Sequence, residues 1–321
     1  MRVALDANRW FWWLVGGVAI LLLGLHLVLR FWVVPQIPER RPEIEAALSE
    51  VLQRPVRLGR IDAGWSNLQP RIDIASLTVL DREGRPALVL PAISAAISWR
   101  TVTARTLVFS RLRTGGLELF LRRTRDGTIL LGDIPLNRGE DNRFIEWLEQ
   151  QRGIDLERSV VHWDDELRAA PRLSLRDVDL SVRNRGSRHR FGLRATPPAG
   201  LAGPIDLRGE WNGVSITRPQ AGSGRLFGDL RRVDLGALAT WLPLPFGIEA
   251  GRGGLRVWLD VQGPTIAGFT ADATLVGLRA HLAGAPEALE VASVGGRIGL
   301  VNRPDRHALE LRRLTMQTAD G

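Results

Sequence analysis

The residues best suited by type to do chemistry are Asp164-Asp165-Glu166, with His162 just before them. Carboxylates beside an imidazole are the raw material of a metal site or a general acid/base pair. Adjacent residues on a strand point to opposite faces, however, and no further His follows at ligand spacing. The run is therefore read as a solvated turn between Ser159–Trp163 and the next strand. The five His residues, at 26, 162, 189, 281 and 307, are scattered, and none has the helical two-His spacing of a zinc protease. His189, between Arg188 and Arg190, is grouped as an anion contact would be, but it is read as a solvent-facing strand residue. Gly222-Ser-Gly224-Arg-Leu-Phe-Gly228 has phosphate-loop composition with the spacing off by one, and it lacks the strand-to-helix setting that aims N–H groups at phosphate. Its glycines are assigned to turns, and Gly222-Ser223-Gly224 is too short for a nucleophile elbow. Cysteine is absent, which removes disulfides, thiolate zinc sites, iron–sulfur clusters and thiol nucleophiles. The expectation is a non-enzyme with no catalytic residue, no metal and no cofactor.

What the chain must position instead is apolar surface. Of 321 residues, 45% are hydrophobic, which is ordinary for a folded chain and excludes disorder as the default. The 43 basic residues, all Arg, outnumber 35 acidic ones and are interleaved with them, so the formal charge of +8 predicts a mildly cationic surface and no nucleic-acid partner. From Trp10 to Leu29 no residue is charged, and about 20 residues at 1.5 Å rise cross the hydrocarbon core. The run ends in Arg30, Trp32 and Pro35 without a small-residue cleavage site, so it is read as a retained anchor. Trp10, Trp12, Trp13 and Trp32 stand where indoles favour the two membrane interfaces. His26, the one polar group in the span, is assigned to packing near the helix end.

The predicted organisation is a cytoplasmic N-terminus over 1–9, a transmembrane anchor over 10–34, a hinge with an amphipathic helix over 35–54, and a β-groove over 55–321. Ile44, Leu48, Val51 and Leu52 set the helical stripe. Beyond Pro55, short alternating runs are separated by Gly, Pro, Asn and Asp, which predicts a mainly β meander, an elongated antiparallel sheet curled into an apolar groove. Phe144–Gln151 and Leu235–Leu242 are the exceptions, both read as short helices. One pattern recurs in Ile72–Val79, Leu173–Leu180 and Leu309–Met316: alternation, a two-residue step, then alternation again. A β-bulge makes that parity change and keeps one face apolar across the bend. The expected groove lining is Ile72, Ile74, Leu77, Val79, Leu117, Leu119, Leu121, Leu173, Leu175, Val178 and Leu180. Some 17 strands at about 4.8 Å would give a groove of roughly 80 Å.

The order of signals resembles the AsmA-like family, in its YhdP branch. An anchor and a short helix are followed by Val56-Arg-Leu-Gly-Arg-Ile61-Asp-Ala-Gly-Trp65, then Ile97-Ser-Trp99, Leu117–Gly127, Trp147–Gln151, Val161-His-Trp163-Asp164, His189-Arg-Phe191 and Gly253–Leu259. The resemblance implies a single-pass inner-membrane protein with its bulk in the periplasm. It implies a bridge that carries phospholipids toward the outer membrane along an apolar β-groove. Family members are much longer, which predicts that this chain is an N-terminal fragment whose contacts with outer-membrane components lie in a further segment. The alternative is a scaffold for outer-membrane protein assembly, acting by strand-edge pairing.

Overall fold

The computed structural model describes residues 2–81, 83–104, 106–132, 134–136, 143–215, 222–244, 247–281, 288–303 and 306–318, without the side chains of 2–9 and 301–309 among others. Helix α1, Arg2–Val28, takes in part of the segment expected to precede the anchor. It runs on through a π-helical turn, Leu29–Val33, and 3₁₀ turns at Val34–Gln36 and Pro38–Arg40. Pro35 and Pro38 each lack an N–H, so α-helical bonding lapses there before resuming in α2, Arg41–Leu52. Helix α2 ends at Gln53, which is left-handed with φ 53°. Ile44, Leu48 and Leu52 pack on the core as the stripe predicts, while the side chain of Val51 lies outside the described residues. Glu45 accepts the backbone N–H of Leu58 at 2.7 Å and tethers the helix to the first strand. That bond, outweighing partial burial, holds the Glu45 carboxyl below the usual range.

Strands β1 (Val56–Leu58), β4 (Leu77–Leu80) and β5 (Pro86–Leu90) form a small antiparallel sheet. It packs with α2 over one end of a 16-stranded sheet. The large sheet begins with β2 (Ile61–Ser66), β3 (Gln69–Ile74), β6 (Ile93–Ile97) and β7 (Phe109–Gly115). It continues with β8 (Glu118–Arg123), β9 (Ile129–Leu131), β10 (Ile134–Pro135), β11 (Gly153–Asp165), β12 (Ala170–Arg185) and β13 (Arg188–Thr196). It ends with β14 (Ile205–Asn212), β15 (Ser223–Asp234), β16 (Ile248–Gln262), β17 (Thr265–Ala280), β18 (Leu289–Arg303) and β19 (Arg306–Gln317). Three further helices are α3 (Arg100–Ala104), α4 (Arg143–Gln150) and α5 (Leu235–Leu238). The mainly β architecture is as expected, a large sheet that curves without closing.

Two expectations are corrected. Strand β11 runs parallel to β7 and then to β8, which lie end to end along it, so the sheet is mixed. The segment between β8 and β11, which contains α4, brings the chain back to the end where β7 begins. A parallel neighbour requires such a crossover. The hydrogen-bonded path from β19 to β2 also holds 13 strands, fewer than the 17 expected. Twelve steps of about 4.8 Å give about 58 Å.

The bulge reading holds for two of its three segments. Asp177, inside Leu173–Leu180, has φ 50°, and the register between β12 and β13 shifts there. Arg313, inside Leu309–Met316, has φ 53° beside the shift between β18 and β19, although the side chain of Leu309 lies outside the described residues. Arg158, Arg232 and Gly277 are left-handed at matching breaks in β11, β15 and β17. The bulges line up across the sheet and bend it along a common crease. Ile72–Val79 differs: it is not one bulged strand but β3 followed by β4 in the other sheet. The chain leaves at Ala75-Ser76, whose backbone pairs with Arg60 and Gly59.

Candidate functional site

Register alone sorts the side chains of the large sheet onto two faces. Across β12 to β17 one row reads Leu180, Leu193, Leu207, Gly228, Val257, Ala271. The row beside it reads Ser181, Gly192, Arg208, Phe227, Trp258, Thr270. The first face continues through Ile298 and Leu311 to β19, and in the other direction through Leu156, Leu112, Ala95 and Ile72 to Ala63. At all of these positions it carries no charge.

The opposite face carries Arg and carboxylates in register. Arg183 bonds Asp155 at 2.6 Å, Arg190 bonds Glu210 at 2.9 Å, Arg208 bonds Asp206 at 2.7 Å, and Arg297 and Asp272 form a bidentate pair. The hydrogen bond from Arg208 holds the Asp206 carboxyl below the usual range, as that from Arg297 does for Asp272. Each exposed pair contributes little to stability, but together they keep this face wet and the other dry.

Glycines on the apolar face leave room for their neighbours' side chains. A Cβ at Gly209, on the apolar face, would meet the Phe191 ring at 2.2 Å, and one at Gly228 would meet Leu207 at 3.2 Å. On the charged face, a Cβ at Gly254 or Gly64 would meet nothing within 4 Å.

The small sheet and α2 cover this face at β2, β3 and β6, and from β12 onward local cover exists only at its margins. Helix α5, capped by Asp234 accepting from the Ala237 N–H, presses Leu235 and Leu238 against Leu230, Leu255 and Ala273 near one rim. At the other rim, Asn184 donates to the carbonyls of Gln151 and Leu148, which fixes α4 over the end of β12. Among the described residues no second sheet or helical layer lies over the centre, where Leu193, Leu207 and Val257 are half-buried among the side chains of their own sheet.

Nine of the eleven expected lining residues share this face. Ile72, Leu119, Leu121, Leu173, Leu175 and Leu180 are half-buried, whereas Ile74, Leu117 and Val178 are at most 8% exposed. Leu77 and Val79 are not on it. They belong to the small sheet and close a core with Val56, Leu58 and Ile61. The reading of this face stopped at β12 and missed the longer part from Phe191 to Ile298, although plain alternation, as in Arg190-Phe191-Gly192-Leu193-Arg194, marks it.

The polar candidates resolve differently from expectation. Asp164 and Asp165 are the last residues of β11, not a solvated turn. The Asp165 side chain is fully buried against Arg123, and Asp164 pairs with Arg172 at 2.8 Å. Burial, the largest single effect, pushes the Asp165 carboxyl up, but the Arg123 bond, the Arg168 backbone N–H and the charges of both arginines together outweigh it, and the net direction is down. His189 is 2% exposed, not solvent-facing; it donates from Nδ1 to Asn184 Oδ1, because the Asn184 amide nitrogen already serves the two carbonyls. His162 bridges Ser174 at 2.8 Å and Glu118 at 2.9 Å on the charged face, stacked on Phe120. These are neighbours across β8, β11 and β12, with Glu118 exposed and His162 mostly covered. Gly224 and Gly228 serve strand packing rather than turns, leaving room for Trp211 and Leu207. His26 packs edge-on against Trp65, with ring centroids 4.6 Å apart.

The helical segment Trp12–Gln36 is long and apolar enough to cross a membrane, with mean hydropathy 2.2 and none of its most apolar stretch buried. Trp10, Trp12, Trp13 and Trp32 are all more than 60% exposed along it. No curated protein and no solved structure matched the chain. A family model described as YhdP protein matches residues 1–321, its whole length. With an apolar N-terminal helix, a mainly β body and this full-length match, the chain belongs to the YhdP family, an AsmA-like family of lipid-transport proteins without enzymatic activity.

Proposed function

We propose that the chain is a membrane-anchored periplasmic bridge, along whose apolar face phospholipids move from the inner membrane toward the outer membrane. The observation that carries this reading is the apolar face of a sheet about 58 Å across: the small sheet and α2 cover it at β2, β3 and β6, and no second layer covers its centre among the described residues. A soluble sheet buries one face against another layer. Here acyl chains would supply that layer, each methylene removed from water contributing about 0.8 kcal/mol. Phosphate headgroups stay at the open side, because an unpaired charge against Leu and Val costs far more than the methylenes gain. Most Arg and Asp side chains lie on the opposite face and hold the sheet in solvent, whereas Arg123 and Asp165, at the far end of β8 and β11, lie on the apolar face as a buried ion pair.

The test is in-cell photo-crosslinking at adjacent positions on β8. Leu119 faces the groove with Val161 and Leu175, whereas Glu118 faces out toward His162. Covalently captured phospholipid is expected at position 119 and not at 118. Capture at both, or at neither, refutes the inward face or the lipid path.

A further inference from the structure

The first strands of the sheet present a second apolar feature, at their ends rather than on their face. Leu68, in the turn between β2 and β3, is 70% exposed; Trp99 and Leu107, in the connection between β6 and β7, are 40% and 38% exposed. They form a row. Arg71 pairs with Ala96, so the same register carried outward sets Leu68 level with Trp99. The Ser98 N–H donates to the Val108 carbonyl at 2.8 Å, which sets Trp99 beside Leu107. Ser110 donates to Gln69 Oε1 at 2.6 Å, and the Trp147 indole donates to the Leu107 carbonyl at 3.2 Å, so both connections are braced. Arg100, next to Trp99, is exposed on the same rim.

The anchor fixes where this rim lies. His26 touches Trp65 near the end of β2, while Ile37 packs on the core that holds Ile61 at its start. Eleven helical residues rise about 16 Å and four strand residues about 13 Å, so β2 runs alongside the helix, back toward the membrane span. His26 is four residues before Arg30, about 6 Å inside the first charge that follows the apolar run. Trp65 reaches that depth, and the turn carrying Leu68 lies beyond it.

We infer that the rim Leu68–Trp99–Leu107 is a membrane-docking edge, seated in the phospholipid leaflet that the C-terminal half of the anchor crosses. Leu side chains enter the acyl region, the indole takes the interface and Arg100 meets phosphate. The inner face of β2 at Trp65, beyond the end that the small sheet and α2 cover, then opens into that leaflet. The inference rests on Trp12–Gln36 spanning a membrane and adds an entry site to the proposed path.

The test uses the full chain reconstituted in phosphatidylethanolamine/phosphatidylglycerol vesicles. With no native Cys, the variants Leu68→Cys, Trp99→Cys, Leu167→Cys and Val214→Cys each take one environment-sensitive fluorophore. Leu167 is 52% exposed at the far end of β11, about 40 Å along the strand. Val214 is 89% exposed on the same rim as Leu68, but seven strand steps, about 34 Å, from β2. Acyl-brominated lipid is expected to quench probes at 68 and 99 at least about threefold more than at 167 or 214, because bromine acts only on contact within the leaflet. Equal quenching at all four sites, or none at 68 and 99, overturns the inference. Photoactivatable acyl-diazirine phospholipid with the unsubstituted chain gives a readout free of mutation: adducts on Leu68 and Trp99 support docking, and their absence refutes it. Capture at Leu119 without contact at 68 removes only the docking edge; contact at 68 without capture at 119 removes only the path.

Discussion

One carboxylate on the apolar face should interrupt the proposed path at a single rung. Leu175 on β12 is half-buried opposite Val161, with Leu173 and Val178 on the same face. Leu175→Asp removes one apolar contact from the wall and puts an unpaired charge beside any chain passing it. A strand spacing of about 4.8 Å accommodates roughly four methylenes. Holding them off the wall forfeits about 3 kcal/mol at about 0.8 kcal/mol each. At 1.4 kcal/mol per factor of ten, passage past this rung slows by roughly 10²-fold. The cost to folding is smaller, about 1–2 kcal/mol, because Leu175 is only partly buried. Ser174→Asp places the same charge on the opposite face beside His162 and should be neutral. The assay is photo-crosslinking at two positions in each background: Ile72, near the anchor, and Leu259, across the sheet on β16. With Asp at 175, capture at Ile72 should persist and capture at Leu259 should fall to a few per cent. Capture at Leu259 that is unchanged, or that falls equally with Asp at 174, would refute the reasoning.

Other consequences can be measured on folding alone. Arg232 and Arg313 hold left-handed backbone at φ 55° and 53°, so Arg232→Gly or Arg313→Gly should leave stability unchanged or raise it by up to about 1 kcal/mol, while Arg232→Val should lower it by about 1–2 kcal/mol in denaturant titrations. Gly209→Ala should cost about 1–3 kcal/mol, because the new methyl meets the Phe191 ring and Leu226, and Gly254→Ala should cost far less. Asp206, Asp234 and Asp272 have carboxyls held low mainly by hydrogen bonds from Arg208, Arg252 and Arg297. Their contribution is present above the unfolded carboxylate value near 4 and is lost as pH falls through the lower folded values, so the denaturation midpoint should drop steeply below about pH 4 and stay flat above about pH 5.

The sequence disclosed faces better than it disclosed neighbours. Alternation assigned Leu119, Leu173, Leu175 and Leu180 to one side, and the two-residue step located the bulge at Asp177, because both depend only on the strand's period of two. Period says nothing about which sheet a strand joins. Ile72–Ile74 and Leu77–Val79 therefore looked like halves of one bent strand, yet hydrogen bonds at Ala75-Ser76 send them to different sheets. The parallel pairing of β11 was equally invisible, since it depends on the long return from Arg123 to Gly153 and on no local signal. His189 went astray for a related reason: two flanking Arg residues mark a wet strand, but the odd position between them points into the closed rim beneath α4. Helix α3, a five-residue turn of Arg100–Ala104 with β-branched residues inside it, carried too little periodicity to read.

Among the described residues, each strand from β12 to β18 pairs only with the strands before and after it in the chain. No long-range closure fixes how many such strands there must be. A hairpin inserted anywhere along this stretch needs only two matching edges and the same alternation, and it leaves the creases of its neighbours as they were. The length of the sheet is thus an independently adjustable dimension, like the number of links in a chain. Selection can fit it to whatever distance must be spanned, by duplication or loss of hairpins, without rebuilding a core.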